Sequence, residues 1–281
     1  MLLTKTAPLI LILVIGVVQG FAQIPEPPIP VDEIIRRFST KEKEFKTARA
    51  MYTYRQDVKV QVLDGNDRVA EEFNLVSDII LDNKGKRTER IVYAPASTLR
   101  RISMTAQDMQ DIREIQPFVL TSDDIQKYNL KYTGKEKIDE IDCYVFDVGP
   151  KRLEKDQRYF EGKIWVDDQD FQIVKTYGKA VPDLRGKDGE NLFPRFETYR
   201  EQIDGKYWFP TYTRAADTLQ FSSGPVRMRE IIKYERYKKF EADVKLTFGD
   251  VVDEKGNPVS EPSAKKAPAL DPKKNDPKKK P

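Results

Sequence analysis

The sequence contains no histidine and a single cysteine, Cys143, in 281 residues. Without histidine there is no Ser-His-Asp triad, Cys-His dyad or His-ligated metal. One cysteine can form neither an intramolecular disulfide nor a cysteine-clustered zinc site. An enzyme built on this chain would have to work with Asp, Glu, Lys, Tyr, Ser or Thr. A dominant charge is lacking too: 49 basic residues face 46 acidic ones, for a net charge of +3. That small excess sits at the two ends. The stretch from residue 264 holds seven Lys against two Asp, and Lys5 precedes the first apolar run, so the intervening chain is slightly acidic. A nucleic-acid-binding domain carries its positive charge on the folded surface, which this chain does not. The hydrophobic fraction of 39% is low, but it suffices for a modest core in one large domain or two small ones.

Only residues 7–18 (APLILILVIGVV) form an extended apolar run. It follows Lys5 and is followed by Gln19, Gly20, Phe21 and Ala22. A bilayer-spanning helix needs about 20 apolar residues, whereas a short run ending in small residues fits a signal peptide. The expectation is an exported, periplasmic protein with residues 1–22 removed after Ala22, the alternative being an uncleaved anchor. No cysteine lies near the cut, so lipidation there is not expected.

Residues 23–31 are a proline-rich spacer, after which Asp32 stands where an N-cap would be. Ile34, Ile35, Phe38, Phe45 and Ala48 recur at helical steps among charged residues, predicting an amphipathic helix over 32–49. The period then changes to two. Tyr52, Tyr54, Val58, Val60 and Val62 share one strand face, and Asp64-Gly65-Asn66-Asp67 is a turn. Strands over 69–81 and 87–93 complete a meander. Alternation stops between 97 and 128, where helical patterns over 106–112 and from Ser122 toward Tyr128 are expected. Strands resume over 130–138, 141–148, 159–166, 171–180, 196–203, 207–219 and 226–237. The expected fold is mainly β: one curved antiparallel sheet of about ten strands, a half-open barrel, with the leading helix and the helical insertion over its open side. Residues 32–249 would form this domain and 250–281 a disordered Lys/Pro-rich tail, either solubilising or attracted to anionic membrane.

Candidate chemistry is sparse. Carboxylates are too plentiful for any pair, such as Asp123-Asp124, to point to a site. Asp167-Asp168-Gln169-Asp170 begins like a calcium loop, but the sixth position is Gln172 and the twelfth is Gly178 where that loop needs Gly and Glu, so a hairpin turn is expected. Residues 185–191 (RGKDGEN) lack phosphate-loop spacing and read as a long hairpin loop. Catalytic, cofactor-binding and metal-binding residues are therefore expected to be none. The strands are rich in aromatics, and large side chains on a concave sheet face either meet the helices or line an apolar cavity. By strand parity the cavity candidates are Tyr54, Val58 and Val60, then Tyr144, Phe146 and Val148, then Phe160, Ile164 and Val166.

Three segments carry a family resemblance: 141–151 (IDCYVFDVGPK), 159–174 (YFEGKIWVDDQDFQIV) and 205–213 (GKYWFPTYT). With their order and spacing, the chain resembles the LolA/LolB-like family of outer-membrane lipoprotein-sorting proteins. The resemblance implies helices acting as a lid on the half-open barrel and a hydrophobic interior that carries acyl chains of lipoproteins or related lipids toward the outer membrane. It also implies that Gly162, Trp165, Asp167, Gly205 and Pro210 hold the scaffold. Partners would be lipid or lipoprotein acyl chains, with envelope donor and acceptor proteins and no nucleic acid. The alternative is an envelope sensor or a protein-binding module on the same fold.

Overall fold

The computed structural model describes residues 26–81, 86–186 and 189–240, a single unit ending at Phe240. The leader and the basic tail lie outside the described residues. The first element is helix α1 (Val31–Arg49). Its cap differs from the expected one: Pro30 occupies the N-cap position, no side chain caps it, and Asp32 lies inside the first turn, where its charge favours the helix dipole. Ile34, Phe38 and Phe45 are fully buried on one stripe.

Strands β1 (Tyr52–Leu63), β2 (Val69–Leu81) and β3 (Arg87–Tyr93) form the predicted meander. Helix α2 (Ala106–Glu114) begins at Thr105, whose hydroxyl accepts from the Asp108 amide while Asp108 accepts from the Thr105 amide, a complete capping box. The second expected helix is only a 3-10 turn, Ile125–Lys127. The extended backbone of Tyr128 ends it, so too few residues remain for an α-helical turn to propagate.

Seven long strands follow: β4 (Tyr128–Ile138), β5 (Ile141–Pro150), β6 (Tyr159–Asp167), β7 (Ile173–Val181), β10 (Phe196–Ile203), β11 (Tyr207–Phe221) and β12 (Gly224–Lys239). Between β7 and β10, two three-residue strands, β8 (Leu184–Gly186) and β9 (Gly189–Asn191), pair as a ribbon where a bare loop was expected. β7 starts two residues later than predicted because Phe171 has a left-handed φ of 53° and its amide is held by the Asp167 carbonyl. The main sheet has the order β3-β2-β1-β12-β11-β10-β7-β6-β5-β4 and is antiparallel throughout. Its ends are not joined, so the fold is the open curved sheet with helices that alternation and turn spacing predict.

The concave face carries two apolar clusters. The first packs Ile34 and Phe38 of α1 with Phe118 and Leu120 against β4 to β7; Phe118 stacks on Phe160 at 4.3 Å. The second packs Ile112 of α2 against β1, β11 and β12. On the other side of the sheet Cys143, Val145 and Trp165 form a smaller cluster.

The five residues for which the resemblance implies a scaffold role occupy the following positions. Gly205 follows Asp204 through a turn in which both have left-handed φ, 72° and 61°. Pro210 sits at a bulge, where the register slips between Tyr199 and Arg200, so the sheet loses no regular ladder bond to its missing N–H. Trp165 donates to Glu136 at 2.8 Å, and Asp167 accepts from the Gln169 amide at 2.8 Å. Gly162 pairs with Gly178 across β6 and β7. A Cβ on Gly162 would lie 2.1 Å from the Tyr177 carbonyl oxygen and 2.5 Å from the Gly178 Cα. These are backbone atoms, so relief requires moving two strands. Gly162→Ala is therefore expected to cost about 2–3 kcal/mol, the upper range of overpacking penalties, measurable by urea denaturation. A loss under about 0.5 kcal/mol, within the usual range for a surface substitution, would show that the strands part easily here.

Candidate functional site

A cavity of about 550 Å³ opens on the concave side, between the sheet, the segment before α2, α2 itself and the chain around the β8–β9 ribbon. Its floor is the sheet: Val60 of β1, Met228 and Glu230 of β12, Leu219 of β11, Phe196 of β10 and Ala180 of β7. Strand parity explains this set. Val60 lies opposite Glu230, and Val226, Met228, Glu230, Ile232 and Tyr234 are the buried phase of β12.

The roof is held by polar ties. Asn191 donates to Thr105 Oγ1 at 3.0 Å, joining the ribbon to the capping box. Arg158 donates to Asp111 Oδ2 at 2.6 Å through Nη2 and covers the Phe193 ring at 4.0 Å, so α2, the β6 approach and the ribbon exit are tied together. Burial pushes the Asp111 carboxyl up against the pull of Arg158. The exposed Arg100 and Arg101 stand at the mouth, where Arg101 is engaged by Glu71 at 2.9 Å.

The floor holds a less ordinary group. Glu230 is 4% exposed, and its side chain has one hydrogen-bond partner among the described residues, Gln116 Nε2 at 2.6 Å, and no cation. Burial pushes its carboxyl up to about 7; the Gln116 bond lowers it, and Asp108 and Asp111 raise it further. Gln116 is held through its backbone carbonyl, which accepts from Thr198 Oγ1 at 2.9 Å, while its side-chain Oε1 is buried without a partner.

Of the nine residues proposed from parity to line a cavity, Val60 lies on this wall. Tyr54 and Val58 belong to the same apolar cluster as Val60, beside Tyr234 and Ile232 of the neighbouring β12. Tyr144, Phe146, Val148, Phe160, Ile164 and Val166 are brought together on one face, as parity requires, but α1 covers that face; Phe38 meets Phe146 at 5.7 Å. In this conformation they are packed core. Sequence reasoning passed over Glu230 and Gln116. The signal for Glu230 was present: a carboxylate in the inward phase of an otherwise apolar alternation. For Gln116, outside any regular element, there was none.

The same signal marks a second buried polar pair. Glu42 lies on the apolar stripe of α1 and Arg200 in the inward phase of β10, and Arg200 Nη1 donates to Glu42 Oε1 at 3.0 Å. The Ile173 amide donates to the same oxygen at 3.1 Å, and Arg200 Nη2 donates to the Phe118 carbonyl. This pair clamps α1 to the sheet. No group of three or more metal-ligating side chains occurs among the described residues.

Comparison with solved structures finds similarity to a DUF1329 family protein from Desulfovibrio piger, with 18% identity, coverage of 78% of this chain and 95% of that one, and a TM-score of 0.39. A LolA superfamily protein from Nitrosomonas europaea has 13% identity, coverage of 72% and 94%, and a TM-score of 0.33. A domain assigned to outer-membrane lipoprotein sorting from Vibrio parahaemolyticus has 12% identity, coverage of 76% and 95%, and a TM-score of 0.34. No curated protein matches the sequence. One family model, described as "-like: Uncharacterized protein", matches residues 78–236, from the end of β2 into β12 and more than half of the chain; the protein belongs to that family.

Proposed function

We propose that this protein is a periplasmic carrier that takes an acyl chain of a lipid or lipoprotein into the cavity between α2 and the sheet, without turning it over. The observation that carries the reading is the cavity itself. At about 550 Å³ it falls within the size range of small-molecule sites, and about half of the residues that line it are apolar, Val60, Leu219 and Met228 of the sheet among them. The sequence resemblance to lipoprotein-sorting proteins and the leader over residues 1–22 support an envelope location. Among the described residues no helix is long and apolar enough to cross a membrane.

Filling the cavity tests this. Leu219 lines it and is 8% exposed. Leu219→Trp places an indole in space that is already empty, so the melting temperature should move little while affinity for a fluorescent fatty-acyl probe falls at least about tenfold, equivalent to about 1.4 kcal/mol. Leu153→Trp, on an exposed loop, is the control. A wild type that binds no acyl probe would sink the carrier reading and favour the protein-binding alternative. That alternative has one structural support: the sheet edge β3 exposes Ile91, Val92 and Tyr93, an apolar strand edge of the kind that pairs with an added strand.

A further inference from the structure

From the polar floor of the cavity we infer that its preferred ligand carries a primary ammonium group at the end of its apolar chain, held by Glu230 and Gln116; this rests on the reading of the cavity as a site for an apolar chain. Two observations combine. Glu230 is a buried carboxylic acid on the cavity floor with no Lys or Arg against it. Independently, Gln116, 5% exposed and lining the same cavity, leaves its Oε1 without any donor. Buried polar groups in folded proteins are almost always satisfied, and a buried carboxylate is ordinarily paired with a cation. The described side chains around Glu230 do not provide one. Asp108 and Asp111 add negative potential, Arg158 is engaged by Asp111, and Arg101 at the mouth is engaged by Glu71.

A ligand that completes this site brings hydrogen-bond donors and positive charge. A primary ammonium has three donors and no acceptor, so it can serve Glu230 and Gln116 Oε1 at once while its chain lies along Val60, Leu219 and Met228. A hydroxyl supplies a single donor and no charge. A carboxylate would face Glu230 with like charge, and could bind only the other way round, with its head at Arg100 in the mouth.

The test is calorimetric titration of the intact protein at pH 8 with decylamine, decanol and decanoate, each below its micellar concentration. Decylamine should bind at least tenfold more tightly than decanol, and decanoate most weakly. Glu230→Gln, checked for folding by circular dichroism, should lower decylamine affinity at least tenfold and change decanol affinity less than threefold. Decanoate binding as tightly as decylamine overturns the inference and leaves the acyl carrier standing with the opposite orientation. No binding of any of the three overturns both. If Glu230→Gln does not fold, the wild-type ranking still decides, because a ranking without preference for the amine refutes the ammonium site.

Discussion

Glu42→Ala is expected to destabilise the domain by about 3–5 kcal/mol, the cost of leaving one partner of a buried ion pair alone. The side chains of Glu42 and Arg200 are 0% and 1% exposed. Burial pushes both toward neutrality, raising Glu42 and lowering Arg200, against the pull that each exerts on the other. Alanine at position 42 leaves the Arg200 guanidinium in the core with the Phe118 carbonyl, frees the Ile173 amide, and opens a cavity beneath α1. Against a typical stability of about 5–15 kcal/mol this removes a large fraction, and a urea titration at pH 7 reads it. The double variant Glu42→Leu/Arg200→Met should recover most of the loss, since replacing both charges by apolar groups of similar volume is often neutral. A single variant that loses less than about 1 kcal/mol, the size of an exposed pair, would mean that water reaches the pair.

Glu230→Gln should do the opposite, and only at high pH. The Glu230 carboxyl is raised from 4.5 to about 7 by burial, a difference equivalent to about 3 kcal/mol. The folded state therefore binds this proton more tightly than the unfolded state does. Its contribution to stability is fully present below about pH 4.5 and is lost as pH rises through about 7. Glutamine keeps the shape and cannot ionise. Near pH 4.5 the variant and wild type should melt together, whereas at pH 8.5 the variant should be more stable by up to about 3 kcal/mol. Thermal melts at both values check this, and a difference independent of pH would show that Glu230 ionises freely.

The Glu42, Arg200 and Glu230 side chains also show how far the sequence could be read. Each stands in the buried phase of its element: Glu42 four residues from Phe38 on α1, Arg200 four residues from Phe196 on β10, Glu230 between Met228 and Ile232 on β12. Helical and strand periods are local, so the phase could be assigned, and with it the inward side of every strand. The partners could not, because Arg200 lies 158 residues from Glu42 and Gln116 lies 114 residues from Glu230. The end of the second predicted helix failed for a related reason. Ser122 and the following aspartates are good starting signals, but the pull of β4, which pairs Tyr128 with Pro150, ends the helical backbone after three residues.

By itself the sequence determined the alternation of the ten sheet strands, the amphipathic α1, the turns at Asp64 and Asp167, and so an antiparallel sheet with one apolar face. The tertiary structure decided how that face is used. Alternation says which side chains point inward but not what meets them there, and filling space depends on volumes brought from distant parts of the chain. Over β5 and β6, α1 supplies Phe38 and the chain before β4 supplies Phe118, so Tyr144, Phe146, Phe160 and Ile164 are packed solid. Over β1, β11 and β12, α2 is only nine residues long, and Val60, Leu219, Met228 and Glu230 line the cavity. Equivalent strand patterns thus yield a core in one half and a cavity in the other, because the covering elements differ in length and in the side chains they lay down.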